Sequence, residues 1–106
     1  LQDSLRPQKL YHLLAGKAKT RKHFGSYKYQ GEWGLLDHII VSGTLLQEHA
    51  PLYTEEAKAD VFCLPFLLTR DKKYGGQQPF RTYYGMKYQG GYSDHLPVWA
   101  EFRLLY

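Results

Sequence analysis

Cysteine is almost absent from this chain of 106 residues, which contains Cys63 alone. A single cysteine cannot form an internal disulfide, and it has no cysteine or histidine neighbour at the spacing of a zinc site. We expect Cys63 to pack as a small apolar residue, and it identifies no cellular compartment. Long hydrophobic runs are also missing, since no apolar stretch approaches the ~18 residues of a membrane helix. The sequence therefore excludes a disulfide framework and predicts no membrane span.

Acidic residues are scarce between residues 69 and 92, where Asp71 is the only one. The cations there exceed it by the whole net charge of the chain, +4, and the same stretch contains five of the ten tyrosines. Cations attract phosphates and tyrosine rings stack on bases, so this basic tyrosine segment (residues 69–92) predicts a phosphate-binding loop. The alternative is that the tyrosines pack on the scaffold and the cations are solvated. The cations are Arg70, Lys72, Lys73, Arg81 and Lys87.

The tripeptide Ser93-Asp94-His95 follows two glycines and precedes a strand pattern that begins at Val98. A carboxylate next to an imidazole at the end of a flexible loop is typical of catalytic side chains that a rigid scaffold presents. The alternative is a surface turn that caps the strand, because three-residue motifs recur by chance.

A second acidic residue, Asp37, lies in a run of branched residues at 35–41. Strand alternation places it on the same face as Ile39 and Val41. A carboxylate on a core-facing row is costly unless it is hydrogen-bonded or paired, and His95 is our candidate partner. The alternative is that Asp37 caps the strand end or pairs with an arginine.

Together these stretches resemble the endonuclease/exonuclease/phosphatase superfamily, the pancreatic-deoxyribonuclease-like hydrolases, and specifically its C-terminal half. The matching segments read Trp-Gly-Leu-Leu-Asp-His-Ile-Ile-Val-Ser at 33–42 and Gly-Tyr-Ser-Asp-His-Leu-Pro-Val at 91–98. Two positions depart from the pattern. Leu35 stands where many members have arginine, and His38 stands where tyrosine is common. These departures leave the substrate class open.

The resemblance implies an α+β fold, the C-terminal half of a two-sheet β-sandwich flanked by helices in a four-layer αββα arrangement. Residues 1–106 would be part of one domain without an internal boundary. The resemblance also implies that His95 activates the attacking water or stabilises the pentacoordinate phosphorus, that Asp37 orients and polarises His95, and that Asp94 helps to bind Mg²⁺ or Mn²⁺. A phosphodiester is ringed by negative oxygens, so its hydrolysis needs a positioned base and neutralised charge. The predicted function is metal-dependent hydrolysis of phosphodiesters or phosphomonoesters.

Motifs of the family's N-terminal half are not found, since no Asp-x-Asn occurs in the 106 residues. The chain also opens without an initiator methionine. We therefore expect a piece of a longer domain that is catalytically inactive alone. Its predicted partners are a phosphoester substrate such as nucleic acid, and either the missing N-terminal half or a second copy bound through an exposed sheet face.

Residues 28–31 and 87–90 share the sequence Lys-Tyr-Gln-Gly, and each copy precedes an Asp-His pair. This echo predicts two similar turns beside one pocket. Chance or shared turn chemistry is the alternative, because two copies do not make a repeat architecture. The candidate substrate contacts are Tyr29, Trp33, Tyr88, Tyr92, Arg81 and Lys87.

Outside these motifs, the pattern predicts one helix and four strands. The helix covers residues 3–16, is capped by Asp3 or Ser4, and ends at Gly16. Its leucines form a one-sided stripe. The strands are predicted at 27–33, 35–41, 60–64 and 98–104, and the first two are joined tightly at Gly34.

Two functions of other classes remain open at this point. One is a non-catalytic phosphate- or nucleic-acid-binding module that uses the basic tyrosine segment, and the other is a structural β-rich interaction piece. Only the enzyme requires that the Asp37 carboxylate lie within hydrogen-bonding distance of a His95 ring nitrogen, ~2.6–3.2 Å.

Overall fold

The computed structural model describes residues 5–105, and short strands dominate that part of the chain. The strands pair two by two, and the only α-helix among the described residues has six residues, so the fold is β-rich. None of the described helices has the length and apolarity needed to cross a bilayer. The elements are β1 (Leu10–His12), α1 (Ala15–Thr20), β2 (Tyr27–Tyr29), β3 (Glu32–Gly34), β4 (Ile40–Ser42), β5 (Leu52–Tyr53), β6 (Ala59–Val61), β7 (Leu68–Arg70), β8 (Gln77–Pro79), β9 (Tyr83–Tyr84), β10 (Lys87–Tyr88), β11 (Val98–Ala100) and β12 (Arg103–Leu104), with 3-10 turns at Gly43–Leu46, Glu56–Lys58 and Pro65–Leu67.

The described chain forms two units whose segments alternate along the sequence. The first unit contains residues 5–22, 37–60 and 98–105, and the second contains residues 23–36 and 61–97. The single domain over residues 1–106 stays a prediction.

In the first unit, β1 pairs with β4 in antiparallel register, and β12 pairs with β5 in the same way. β6, whose first two residues belong to this unit, pairs with β11. Leu13 and Leu14 are fully buried and follow β1 directly. Gly43 follows β4 at a point where a Cβ atom would overlap the carbonyl oxygen of Arg6, so only glycine fits there.

The second unit is built from three hairpins. In the first, Tyr29 of β2 lies opposite Glu32 of β3, which leaves a two-residue turn at Gln30 and Gly31. Both turn residues have positive φ, +50° and +85°, as a type I′ turn requires. The other hairpins join β7 to β8 and β9 to β10, and the second of these turns at Gly85, where φ is +60°.

The predicted helix over 3–16 is wrong where the structure describes it. Residues 10–12 form β1, and α1 begins only at Ala15. The spacing of the leucines fits a strand followed by a turn as well as a helix, and pairing with β4 decides between them. Asp3 and Ser4 lie outside the described residues.

The predicted pairing of 27–33 with 35–41 is also wrong. Both strands of the hairpin lie within residues 27–34, because the chain already turns at Gln30 and Gly31. The run 35–41 is extended only at its end, in β4, and Asp37 lies in a bend before it. The strand predicted at 98–104 is divided into β11 and β12, and Cys63 is exposed instead of packed.

His12 in β1 is expected to make the stability of the fold depend on pH. Its Nδ1 accepts a hydrogen bond from the backbone N–H of Leu14, 3.1 Å, and its ring lies 4.5 Å from that of His38. Burial and the neighbouring His38 lower the pKa of His12. The folded state therefore binds fewer protons than the unfolded state, and stability is lost as pH falls below the ordinary histidine pKa of about 6.5.

Urea unfolding between mildly acidic and neutral pH measures this loss. We expect a smaller loss in His12→Asn, whose side-chain oxygen can accept the Leu14 hydrogen bond without titrating. Equal pH profiles for the two proteins would contradict the role of His12.

Candidate functional site

A cavity of about 700 Å³ lies within the second unit, between the β2–β3 hairpin and the two hairpins of the basic tyrosine segment. Its wall contains six cationic side chains and a single carboxylate, that of Asp71. Tyrosine rings and glutamine amides make up much of the remaining wall. The cations are Lys28, Arg70, Lys72, Lys73, Arg81 and Lys87.

A buried ion pair neutralises one of these cations. Lys28 Nζ lies 2.9 Å from Asp71 Oδ2, and both side chains are only 5% exposed. Lys28 Nζ also donates to the carbonyl oxygens of Gly75 and Gln77, at 2.9 and 3.0 Å. All three donor directions of the ammonium group are thereby used, as burial of a charge requires.

Asp71 in turn fixes the turn between β7 and β8. Its Oδ1 accepts hydrogen bonds from the backbone N–H groups of Lys73 and Tyr74, at 3.1 and 2.9 Å. The hydrogen bond from Lys28, followed by that from the Tyr74 N–H, lowers the pKa of Asp71. The carboxylate therefore stays ionised and holds the backbone that presents Lys72 and Lys73.

The other cations of the wall are not neutralised. Among residues 5–105, no carboxylate lies within ion-pair distance of Arg70, Lys72 or Lys87. Lys73 Nζ lies 5.3 Å from the centre of the Tyr74 ring, which leaves its charge uncompensated. Like charges around one cavity raise its positive potential and favour an anionic ligand.

Arg81 is held between two tyrosines. Its Nη2 donates to the carbonyl oxygen of Lys28 at 2.9 Å, and its Cζ lies 5.6 Å from the Tyr27 ring centre and 5.4 Å from that of Tyr84. These distances suit cation–π contacts. Its Nε is buried without an acceptor among the described residues. Arg81 thus links β2 to the β9–β10 hairpin.

The predicted substrate contacts are divided by the structure. Tyr29, Arg81 and Lys87 line the cavity, and both Lys-Tyr-Gln-Gly segments contribute to its wall. Three other predicted contacts are absent from the wall and meet neighbours in the same unit. The Trp33 ring centre lies 5.8 Å from Lys28 Nζ, Tyr88 makes an edge contact with Tyr83, and Tyr92 makes one with Phe66.

The predicted catalytic residues fall in different units. Asp37 is half-buried in the first unit, whereas exposed Asp94 and half-buried His95 belong to the second. A β-bridge between His95 and Tyr27 and a 5.0 Å separation of their rings anchor the Ser-Asp-His segment to β2. The Ser93 hydroxyl accepts the backbone N–H of His95 at 3.1 Å. The Asp37–His95 pair stays a prediction.

Comparison with known proteins gives the family. A sequence model of the Endonuclease/Exonuclease/phosphatase family matches residues 2–104. The chain belongs to this family. Searches of the curated proteins and of the solved structures find no match. The family name describes nuclease- and phosphatase-type hydrolases, in agreement with the resemblance of the two motifs.

Enzymes of the endonuclease/exonuclease/phosphatase family generally use divalent metal ions. Hard cations such as Mg²⁺ need several oxygen ligands. Residues 5–105 contain no group of three or more histidine, cysteine, aspartate or glutamate side chains that would hold a metal ion. The described residues therefore do not by themselves fit a complete metal site, and Asp94 as a ligand stays a prediction.

Sequence reasoning missed Lys28, Tyr27 and Tyr84 as parts of the cavity. Lys28 is 41 or more residues from the segment it supports, and a buried lysine has the same sequence signal as a solvated one. Tyr84 was one of five tyrosines in its segment, and only the strand register separates those that face the cavity from those that do not. The shared Lys-Tyr-Gln-Gly sequence was the available signal for Lys28.

Proposed function

We propose that the chain provides the water-activating residues and phosphate-binding wall of a phosphoester hydrolase. The observation that supports this best is the cavity with five uncompensated cations in a chain of the endonuclease/exonuclease/phosphatase family. Both phosphodiesters and phosphomonoesters are anionic at neutral pH and suit this wall. Within this proposal, the short paired strands are the inner layers of a four-layer αββα sandwich.

The proposed chemistry uses His95 as the base. Its imidazole takes a proton from a water molecule whose oxygen forms the new bond to phosphorus. The P–O bond to the leaving group breaks, the leaving alkoxide takes up a proton from solvent, and the imidazolium returns its proton to solvent. The Asp37 carboxylate accepts the other imidazole N–H, which fixes the tautomer and raises the basicity of His95. We propose Asp94 as a ligand of Mg²⁺ or Mn²⁺.

The surroundings of His95 favour a positioned imidazole. The β-bridge to Tyr27 fixes its backbone, and the next residue, Leu96, is buried and donates its N–H to the carbonyl oxygen of Ser26 at 2.7 Å. Tyr27 also lines the cavity. His95 therefore lies beside a residue of the phosphate-binding wall, as a base that acts on a bound phosphoester must.

A double-mutant cycle on stability tests the proposed pair without requiring turnover. Free energies of unfolding are measured by urea for Asp37→Asn, His95→Gln and the double variant. A direct hydrogen bond predicts a coupling energy of about 0.5–3 kcal/mol. The control cycle combines Asp37→Asn with the same substitution at His49, which is exposed, and there the two effects on the free energy of unfolding should add. Additive effects of the two substitutions on the free energy of unfolding would contradict the proposed Asp37–His95 pair.

The second candidate function is a non-catalytic phosphate- or nucleic-acid-binding module. The cavity favours it equally, because the wall lies entirely in the second unit and does not include Asp37 or His95. The cycle separates the two functions. A binding module predicts anion binding that depends on the cations of the wall together with zero coupling between Asp37 and His95.

A further inference from the structure

The β9–β10 hairpin has two different faces. Its register places Tyr84 opposite Lys87 and Tyr83 opposite Tyr88. Tyr84 and Lys87 line the cavity, whereas Tyr83 and Tyr88 contact each other edge-on at 5.5 Å on the other face. Tyr83 and Tyr84 are almost equally exposed, at 56% and 55%. The hairpin thus directs one tyrosine of an adjacent pair to the cavity.

The Tyr84 ring is supported from the side of Arg81. The guanidinium Cζ lies 5.4 Å from the ring centre and is itself held by the Lys28 carbonyl oxygen and the Tyr27 ring. More than half of the tyrosine remains accessible. A ring that is positioned by a cation and still exposed can stack on a second flat group.

Charge and volume specify the rest of the ligand. Lys72, Lys73 and Lys87 share the wall with Tyr84, and no carboxylate of the described residues neutralises them. The volume of about 700 Å³ is typical of sites for organic ligands and far exceeds the need of a phosphate ion. The ligand should therefore combine a phosphate group with a flat ring.

We infer that the cavity binds a nucleotide unit, with its base stacked on Tyr84 and its phosphate held by the three lysines. This inference rests on the proposed function only in taking the ligand to be a phosphoester. A free nucleotide and an unpaired residue of a nucleic-acid strand have the same chemistry. Paired bases of a duplex do not offer the open face that stacking on Tyr84 requires.

Binding of thymidine monophosphate and 2-deoxyribose 5-phosphate to the chain, measured by calorimetry, isolates the base. Stacking predicts that the nucleotide binds about tenfold more tightly or better, which corresponds to about 1.4 kcal/mol. Tyr84→Ala should remove this preference, and Tyr84→Phe should keep it. The matched control, Tyr83→Ala, should leave it unchanged, because Tyr83 is on the opposite face.

Four results decide the inference. Equal affinity for the two ligands, or a preference that survives Tyr84→Ala, overturns the inference and leaves the proposed phosphoester site intact. Binding of neither ligand overturns the phosphate-binding wall as well. If single-stranded oligothymidylate of about eight nucleotides binds more tightly than the monophosphate and needs Tyr84, the ligand is a strand. Equal Tyr84-dependent affinities support a free nucleotide.

Discussion

Replacement of His95 by alanine is expected to lower metal-dependent phosphodiester hydrolysis by about 10²–10⁴-fold, the usual contribution of a general base. The assay uses bis(p-nitrophenyl) phosphate as substrate, with Mg²⁺ or Mn²⁺. The enzyme is the longest form of the protein that includes these 106 residues. The 106-residue chain is assayed in parallel, and we expect no turnover from it. Without His95, water must lose its proton to solvent, although the cations of the cavity wall are still present.

Two further variants make this result specific. Asp37→Asn should lower the rate of hydrolysis by about 10–100-fold, because the imidazole remains but its orientation is lost. His49→Ala removes an exposed histidine and should leave the rate unchanged. Circular dichroism is used to check that each variant is folded. A His95→Ala enzyme that retains the rate of the His49→Ala enzyme would rule out the proposed base.

The second large effect is expected from the lysines of the cavity wall. Replacing Lys72, Lys73 and Lys87 together by alanine should weaken binding of a single-stranded oligothymidylate and flatten its dependence on salt. Each lysine that contacts a phosphate adds about one to the slope of log K against log salt concentration. The slope should therefore fall by about three. Fluorescence anisotropy over a range of salt concentrations measures both quantities.

The matched control removes the same charge from the first unit. Lys9, Lys19 and Lys22 are three of the exposed lysines there, and their triple alanine variant should keep the affinity and the salt slope of the wild type. If both triple variants lose affinity equally, net charge and not the cavity wall governs binding. That result would contradict both the second candidate function and the proposed role of the cavity wall in binding phosphate.

The sequence indicated the strand around residues 27–29 correctly, but not its partner. The Gln30-Gly31 turn was missed because asparagine or aspartate usually precedes glycine in such hairpins, and Gln30 adopts φ of +50° without that preference. The N-terminal helix failed for another reason. Pairing of β1 with β4 joins segments about 30 residues apart, and no local pattern encodes such pairing.

The candidate site was predictable in part. Composition alone marked the basic tyrosine segment, since charge and aromatic content are local properties. The two motifs at Asp37 and Ser93-Asp94-His95 identified the family that the full-length match gives. The directions of the side chains could not be predicted from the sequence, because they depend on the strand register. That is why Trp33, Tyr88 and Tyr92 were expected in the wall that Tyr27, Lys28 and Tyr84 help to form.

The Lys28–Asp71 ion pair limits how the cavity wall can be engineered. A loop graft of residues 69–92 into another scaffold would transfer the lysines but leave their support behind, because Lys28 lies outside the grafted stretch. Asp71 would then face the transplanted cations without its buried counter-ion and would compete with the incoming phosphate for them. A transferable version must therefore include the β2–β3 hairpin, or replace Asp71 by a neutral residue that still accepts the two backbone N–H groups of the turn.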